Sequence, residues 1–173
     1  MSLKVQSSLQ NGFSLIEALV ALIVISIGLL GNASMQALMI NNTAIARNRS
    51  LAALESEALA TMMHANVGYW EDIAYLSSFT IIGSTLGNTS LNNLTNDCVS
   101  KACTAIEMAA YDLKQWGALV ANLLPSGTGI VECSAAAANP VSCVITVSWS
   151  ETNLKLNQAG ESVTQSYTLV VQP

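Results

Sequence analysis

The sequence predicts an α+β fold in which a long N-terminal helix packs on a small antiparallel sheet. The 173 residues suffice for one domain plus an accessory segment. Residues 13–66 contain no proline and only two glycines, as expected of one continuous helix. Two segments near the C-terminus alternate apolar and polar residues with the period of two that is typical of half-buried strands.

The first half of the long helix is predicted to cross a membrane. No Lys, Arg, Asp or Glu occurs between Ala18 and Ala46, and a spanning helix needs only about 20 apolar residues. A buried helix of a soluble domain is the alternative, but charge-free runs of this length are rare there. We therefore expect a short polar segment over residues 1–12, a helix over 13–66 with 13–40 in the membrane, and an exported α+β domain over 67–173.

After Gly31 the apolar residues of the helix are confined to one face. Apolar residues recur every seven positions and predict a stripe that covers the helix's own domain; they are Leu38, Ile45, Ala52 and Leu59. Lys4 precedes the apolar run, whereas Arg47 and Arg49 come well after it. This arrangement favours a cytoplasmic N-terminus and an exported domain.

A second helix is predicted to follow a loop. Residues 76–96 are rich in Ser, Thr, Asn and Gly, which predicts an extended loop with little regular structure. Thr104 and Glu107 then form a capping-box pair at the start of the helix. Trp116 and Leu119 are expected to anchor this helix on the sheet.

Three strands complete the prediction, over residues 129–133, 141–149 and 163–171, with a turn at 157–160 between the last two. They predict an antiparallel meander with one buried face. Three strands alone do not shield such a face, so the outer half of the long helix is the expected cover.

The four cysteines all follow residue 97 and predict two disulfides in an oxidising compartment. Three pairings are possible. We favour Cys98–Cys103 and Cys133–Cys143 because each closes a short loop. A four-cysteine zinc site is the alternative, but these spacings fit it poorly. We expect neither a metal nor a cofactor.

Charge and residue types argue against two classes of function. The net charge is −5 and the basic residues are scattered, which argues against a nucleic-acid partner. His64 is the only histidine, and none remains to activate a Ser or Cys nucleophile. We predict no catalytic residues and no enzyme.

Glu17 is the one carboxylate inside the apolar run. An ionised side chain in a membrane segment costs about 2.5–3.5 kcal/mol, so it needs a compensating partner. Cleavage between Gly12 and Phe13 would give Phe13 a positive α-amine, which could meet Glu17 of its own chain or of a neighbouring subunit. The alternative is a plain signal anchor with a tolerated acid.

The stretch Gly12-Phe13-Ser14-Leu15-Ile16-Glu17 resembles the prepilin cleavage and methylation motif of type IV pilins and type II secretion pseudopilins. The resemblance implies that residues 1–12 are a prepilin leader, that a prepilin peptidase cuts after Gly12 and methylates the Phe13 amine, and that Glu17 is the assembly carboxylate. Further stretches resemble the PilV group of minor pilins; they are residues 18–31, 62–66, 103–116, 124–133 and 147–151.

The PilV resemblance implies a type IV pilin-like fold and a non-enzymatic role. Such minor pilins join others in a complex that primes pilus assembly and lies at the fibre tip, supporting attachment and twitching motility. The implied partners are other minor pilins, the major pilin, the prepilin peptidase, the inner-membrane assembly platform, a pilus-tip adhesin and the lipid bilayer. The implied location is the bacterial inner membrane before assembly and the cell surface afterwards.

Two other functions stay open at this point. A type II secretion minor pseudopilin has the same architecture and builds a periplasmic fibre. A ligand-binding module displayed on a fibre, with residues 76–96 as its binding loop, belongs to a different class.

Overall fold

The computed structural model describes residue 12 and residues 14–71, 78–134, 140–152 and 160–173. The chain divides into two compact units, Met1–Thr43 and Ala44–Pro173. The predicted α+β fold is confirmed: a long N-terminal helix with an apolar span packs, through its C-terminal part, on a small antiparallel sheet.

Helix α1 runs from Leu15 to Ala65, and its last part belongs to the second unit. There the buried residues are Ala52, Ser56, Leu59 and Met63, spaced by four, three and four residues as one helix face requires. The predicted stripe included Ala52 and Leu59 but not Ser56. The Ser56 hydroxyl donates a hydrogen bond to the Ala52 carbonyl at 2.8 Å, which removes the penalty for burying it.

A five-stranded antiparallel sheet forms the centre of the second unit, in the order β2-β1-β3-β4-β5. Its strands are β1 Phe79–Ile82, β2 Thr85–Leu86, β3 Thr128–Cys133, β4 Cys143–Thr152 and β5 Ser162–Val171. The last three form the predicted meander. The expected turn over 157–160 lies, except for Gly160, outside the described residues.

The prediction of an irregular loop over residues 76–96 is wrong for the part that the structure describes. Strands β1 and β2 pair across a turn at Gly83, whose φ of +56° favours glycine. A short helix, α3, follows at Thr89–Asn92. Polar residues hold this segment in place: the Asn92 side chain accepts from the Leu86 N–H at 2.9 Å, and the Lys114 ammonium donates to the Asn92 carbonyl at 2.8 Å.

A short helix, α2, spans Val67–Trp70 directly after α1. The longer helix α4 spans Ala105–Leu123, after β1, β2 and α3. It packs on the sheet through residues that are offset from the predicted pair: Trp116 is fully buried, but Leu119 is 48% exposed. The prediction for Leu119 is therefore wrong. The buried face of α4 consists of Ala109, Ala110, Leu113, Trp116, Gly117 and Val120.

Two glycines allow α4 to lie unusually close to the sheet. A Cβ atom on Gly117 would stand 2.3 Å from the Gly83 carbonyl oxygen, and one on Gly129 would stand 2.4 Å from the Trp116 ring. The Trp116 ring therefore lies directly on β3. Its indole N–H also donates to the Glu55 carbonyl of α1 at 2.8 Å. Trp116 therefore links α4, α1 and the sheet in one core.

The four cysteines form two disulfides, and they are the pairs that the sequence analysis favours: Cys98–Cys103 and Cys133–Cys143. The first precedes the start of α4. The second joins residues directly opposite each other at the ends of β3 and β4.

The start of α4 carries the predicted capping-box pair. The Glu107 carboxylate accepts from both the backbone N–H and the hydroxyl of Thr104, each at 2.8 Å, and also from the Asn96 amide. The Thr104 N–H, and after it the hydroxyl, hold the pKa of the Glu107 carboxyl below its ordinary value. A lowered pKa stabilises the folded state above the ordinary pKa of about 4.3, and this contribution is lost as pH falls through the folded-state value.

We therefore expect the variant Glu107→Gln to unfold at a lower temperature than the parent chain at pH 7, with the gap shrinking below about pH 4.3. Thermal unfolding of the detergent-solubilised full chain, followed by circular dichroism across this pH range, measures it. A gap that is the same at pH 7 and pH 3 would contradict the role of the ionised carboxylate.

Candidate functional site

The candidate site is the start of α1. The Ser14 carbonyl accepts hydrogen bonds from the N–H groups of Glu17 at 3.0 Å and Ala18 at 3.2 Å, so the helix begins directly after Ser14. This places Glu17 in the first turn, where a carboxylate interacts favourably with the helix dipole. The sequence folds this way because an uninterrupted run of helix-compatible residues starts at Leu15.

The part of α1 that directly follows Glu17 is predominantly apolar. Its most apolar 18-residue window has a mean hydropathy of 2.2 and is 0% buried, so one helix of the described residues is long and apolar enough to cross a membrane. Leu15 is 88% exposed and Leu30 is 73% exposed. An apolar helix that buries none of this surface in its own chain requires another apolar environment, either lipid or other helices.

Two uncharged polar side chains on this span donate hydrogen bonds within the helix. The Ser26 hydroxyl donates to the Leu22 carbonyl at 2.7 Å, and the Gln36 amide donates to the Asn32 side chain at 3.4 Å. Both contacts join residues four apart and therefore survive removal from water.

Glu17 differs from these groups. Its side chain is exposed, and within the described residues no hydrogen bond or ion pair reaches its carboxylate. In an apolar environment this is the one ionisable group of the span that calls for a partner from outside the described chain.

The predicted processing site lies just before the helix. Gly12 is exposed, and a Cβ built on it meets nothing within 4 Å. Phe13 and the first eleven residues of the predicted leader lie outside the described residues. Gly28 and Gly31 are both helical, with open space around them, so α1 continues through each.

The cysteines offer no ligands to a metal here, because all four are joined in disulfides and no free thiol remains. In the part of the chain that the structure describes, no group of three His, Cys, Asp or Glu side chains could hold a metal ion. His64, the lone histidine, is exposed at the end of α1.

The second unit also contains a groove that the sequence did not predict. Its volume is about 490 Å³, and it lies between α1 and the last two strands; its lining residues are Arg49, Ser50, Ala53, Trp149, Gln165, Ser166 and Tyr167. Arg49 was considered only as a flanking charge. No local pattern links it to Trp149 or Tyr167, which reach the groove through the fold.

Comparison with known proteins identifies the N-terminal segment. The family described as the prokaryotic N-terminal methylation motif matches residues 7–31. No curated protein and no solved structure matches the chain. The matched residues include Gly12, Phe13 and Glu17, together with much of the apolar helix.

The motif and the fold together define a class of protein. They support a pilin-like subunit of a pilus or a pseudopilus, within the type IV pilin and pseudopilin family. The motif and the apolar N-terminal helix together suggest membrane anchoring. In general terms the motif also implies processing by a prepilin peptidase and assembly with other pilins.

Proposed function

We propose that the chain is a minor pilin of the PilV group and a structural subunit of the complex that primes type IV pilus assembly and lies at the fibre tip. It supports pilus assembly, attachment and twitching motility, and its role is structural and not catalytic. Before assembly it resides in the bacterial inner membrane with a cytoplasmic N-terminus, and afterwards on the cell surface. Its partners are other minor pilins, the major pilin, the prepilin peptidase and the assembly platform.

One observation carries the proposal: Glu17 lies in the first turn of a helix whose apolar span is not buried, and no partner among the described residues reaches its carboxylate. The α-amine of a processed Phe13 supplies the opposite charge. When helices of neighbouring subunits pack side by side, the amine of one subunit can meet Glu17 of the next. Removing one partner of a buried ion pair costs about 3–5 kcal/mol, so the contact selects one register between subunits.

We expect the mature chain in cells to begin at an N-methylated Phe13. The physical reason is that assembly needs the amine at the start of the helix, and residues 1–12 would displace it. Intact-mass and N-terminal peptide mass spectrometry of the membrane fraction, with and without the prepilin peptidase, measures this. A chain that still begins at Met1 when the peptidase is abundant would overturn the proposal.

The alternative, a type II secretion minor pseudopilin, shares the motif over residues 7–31. Deleting the gene separates the two. Loss of surface pili supports the pilus subunit, whereas loss of exoprotein release with pili intact supports the pseudopilin.

A further inference from the structure

Strand β5 forms one edge of the sheet and lacks the features that usually protect an edge. It pairs with β4 on one side over ten residues, Ser162–Val171, in unbroken register. It contains no charged residue, no proline, no glycine and no bulge. Natural edge strands are usually short, charged or bent, because an open edge invites pairing with another chain.

The register shows which backbone groups face outward. Cys133 and Cys143 are opposite each other with a Cα separation of 3.9 Å, the close spacing of a pair that exchanges no backbone hydrogen bond. The Ser134 N–H donating to the Ser142 carbonyl at 2.8 Å, one pair further on, confirms this. Cys143 therefore directs its N–H and C=O to Val171 in β5.

Along β5 the direction alternates, so the outward backbone groups belong to the even-numbered residues. They are Ser162, Thr164, Ser166, Thr168 and Val170. Their side chains are all exposed, and no backbone partner covers these groups among the described residues. The edge can accept one added strand along its full length.

A groove opens beside the middle of this edge. Gln165, Ser166 and Tyr167 of β5 form one wall, and Arg49 of α1 lies on the opposite side. Within the described residues the Arg49 guanidinium makes no ion pair or hydrogen bond. A strand added to β5 would direct alternate side chains into this groove, because successive side chains point to opposite faces.

We propose that the β5 edge binds an extended segment of another polypeptide by strand addition, and that this segment places an Asp or Glu side chain in the groove, against Arg49. Backbone hydrogen bonds hold the segment, and the Arg49 pair fixes its register. A second copy of β5 does not meet this requirement, since Ser162–Val171 contains no acidic residue. That the partner is another fibre subunit rests on the proposed function; the edge and the groove do not.

The test is photo-cross-linking in cells that make the full chain. A benzophenone amino acid placed at Thr164, on the outward edge, reports what lies beside β5. We expect an adduct to a different protein, through a peptide with Asp or Glu within a few residues of the cross-link. Mass spectrometry of the adduct identifies that peptide.

Three variants of the cross-linking chain make the test specific. Ser166→Pro removes an outward N–H at an edge position, where proline leaves the pairing with β4 intact. Arg49→Glu reverses the charge in the groove, and its matched control, Arg47→Glu, makes the same change on the same helix outside the groove. We expect Ser166→Pro and Arg49→Glu each to lower the adduct yield at least ~10-fold, and Arg47→Glu to leave it unchanged.

Unfolding temperatures close to the parent value show that the variants fold. The inference is overturned by an adduct to β5 of a second copy, by an adduct to lipid alone, or by no adduct. A yield that Ser166→Pro and Arg49→Glu leave unchanged overturns it too. If the chain is present in sheared fibres but gives no adduct, the docking at β5 is refuted and the proposed function is unaffected. If an adduct forms but the chain is absent from fibres, the proposed function is refuted and the docking at β5 is supported.

Discussion

Replacing Glu17 with alanine is expected to leave the chain in the membrane and to remove it from fibres. The apolar span of α1 gains hydropathy when the charge is lost, so insertion persists. The neighbouring subunit loses the partner of its Phe13 amine, which costs about 3–5 kcal/mol and lowers incorporation by on the order of 100-fold or more. Immunoblots of carbonate-washed membranes and of sheared fibre fractions measure the two quantities separately.

The matched control for this change is Glu57→Ala, which removes an exposed carboxylate from the same helix within the second unit. We expect its incorporation to equal that of the parent chain. Recovery of Glu17→Ala in sheared fibres at the parent level would refute the assembly role of the carboxylate. Loss of both variants would point to a general effect of charge on the helix.

Replacing Trp116 with alanine is expected to lower the free energy of unfolding by about 3–5 kcal/mol, the range for a large aromatic residue in a core. Trp116 is fully buried, contacts Gly129 in β3, and donates to the Glu55 carbonyl at 2.8 Å. Its loss opens a cavity between both helices and the sheet. Urea unfolding of the detergent-solubilised chain, followed by circular dichroism, measures the change.

Leu119→Ala is the control, because it shortens a side chain of α4 that is 48% exposed. We expect a loss of about 1 kcal/mol or less. Equal losses for the two variants would show that α4 packs through a different face from the one described.

The strongly periodic elements could be predicted from sequence. In β4 the residues Cys143, Ile145, Val147 and Trp149 are buried in strict alternation, as the pattern indicated. Strands β1 and β2 could not be predicted in this way, because four and two residues within a polar segment carry too little periodicity. Strand β1 pairs with β3, which lies more than 40 residues further along the chain, and β2 pairs in turn with β1.

Tertiary packing also decides which residues of a helix are buried, so single positions of the helices differ from the prediction. Leu119 and Val120 are both apolar, but Val120 shares the buried helix face with Trp116 and Gly117, whereas Leu119 is 48% exposed. Ser56 is polar and was not expected to be buried, but its hydroxyl is satisfied by its own helix. Composition therefore places such a helix on the sheet without fixing its rotation.

The candidate site at the start of α1, in contrast, could be predicted from local sequence. Gly12, Phe13 and Glu17 lie within six consecutive residues, so a local sequence pattern contains the whole predicted site, and the family match over residues 7–31 covers it. The Arg49 groove joins α1 to β4 and β5 across a long stretch of chain. A site of this kind becomes visible only once the fold is known.

The Cys133–Cys143 bond also has a practical consequence. Together with the Ser134 N–H bond to the Ser142 carbonyl, it fastens the two ends of the β3–β4 connection to each other. We expect residues inserted between those ends to leave the pairing of β3 with β4 intact. An epitope tag at this position would let individual subunits be counted on intact fibres by immunogold labelling.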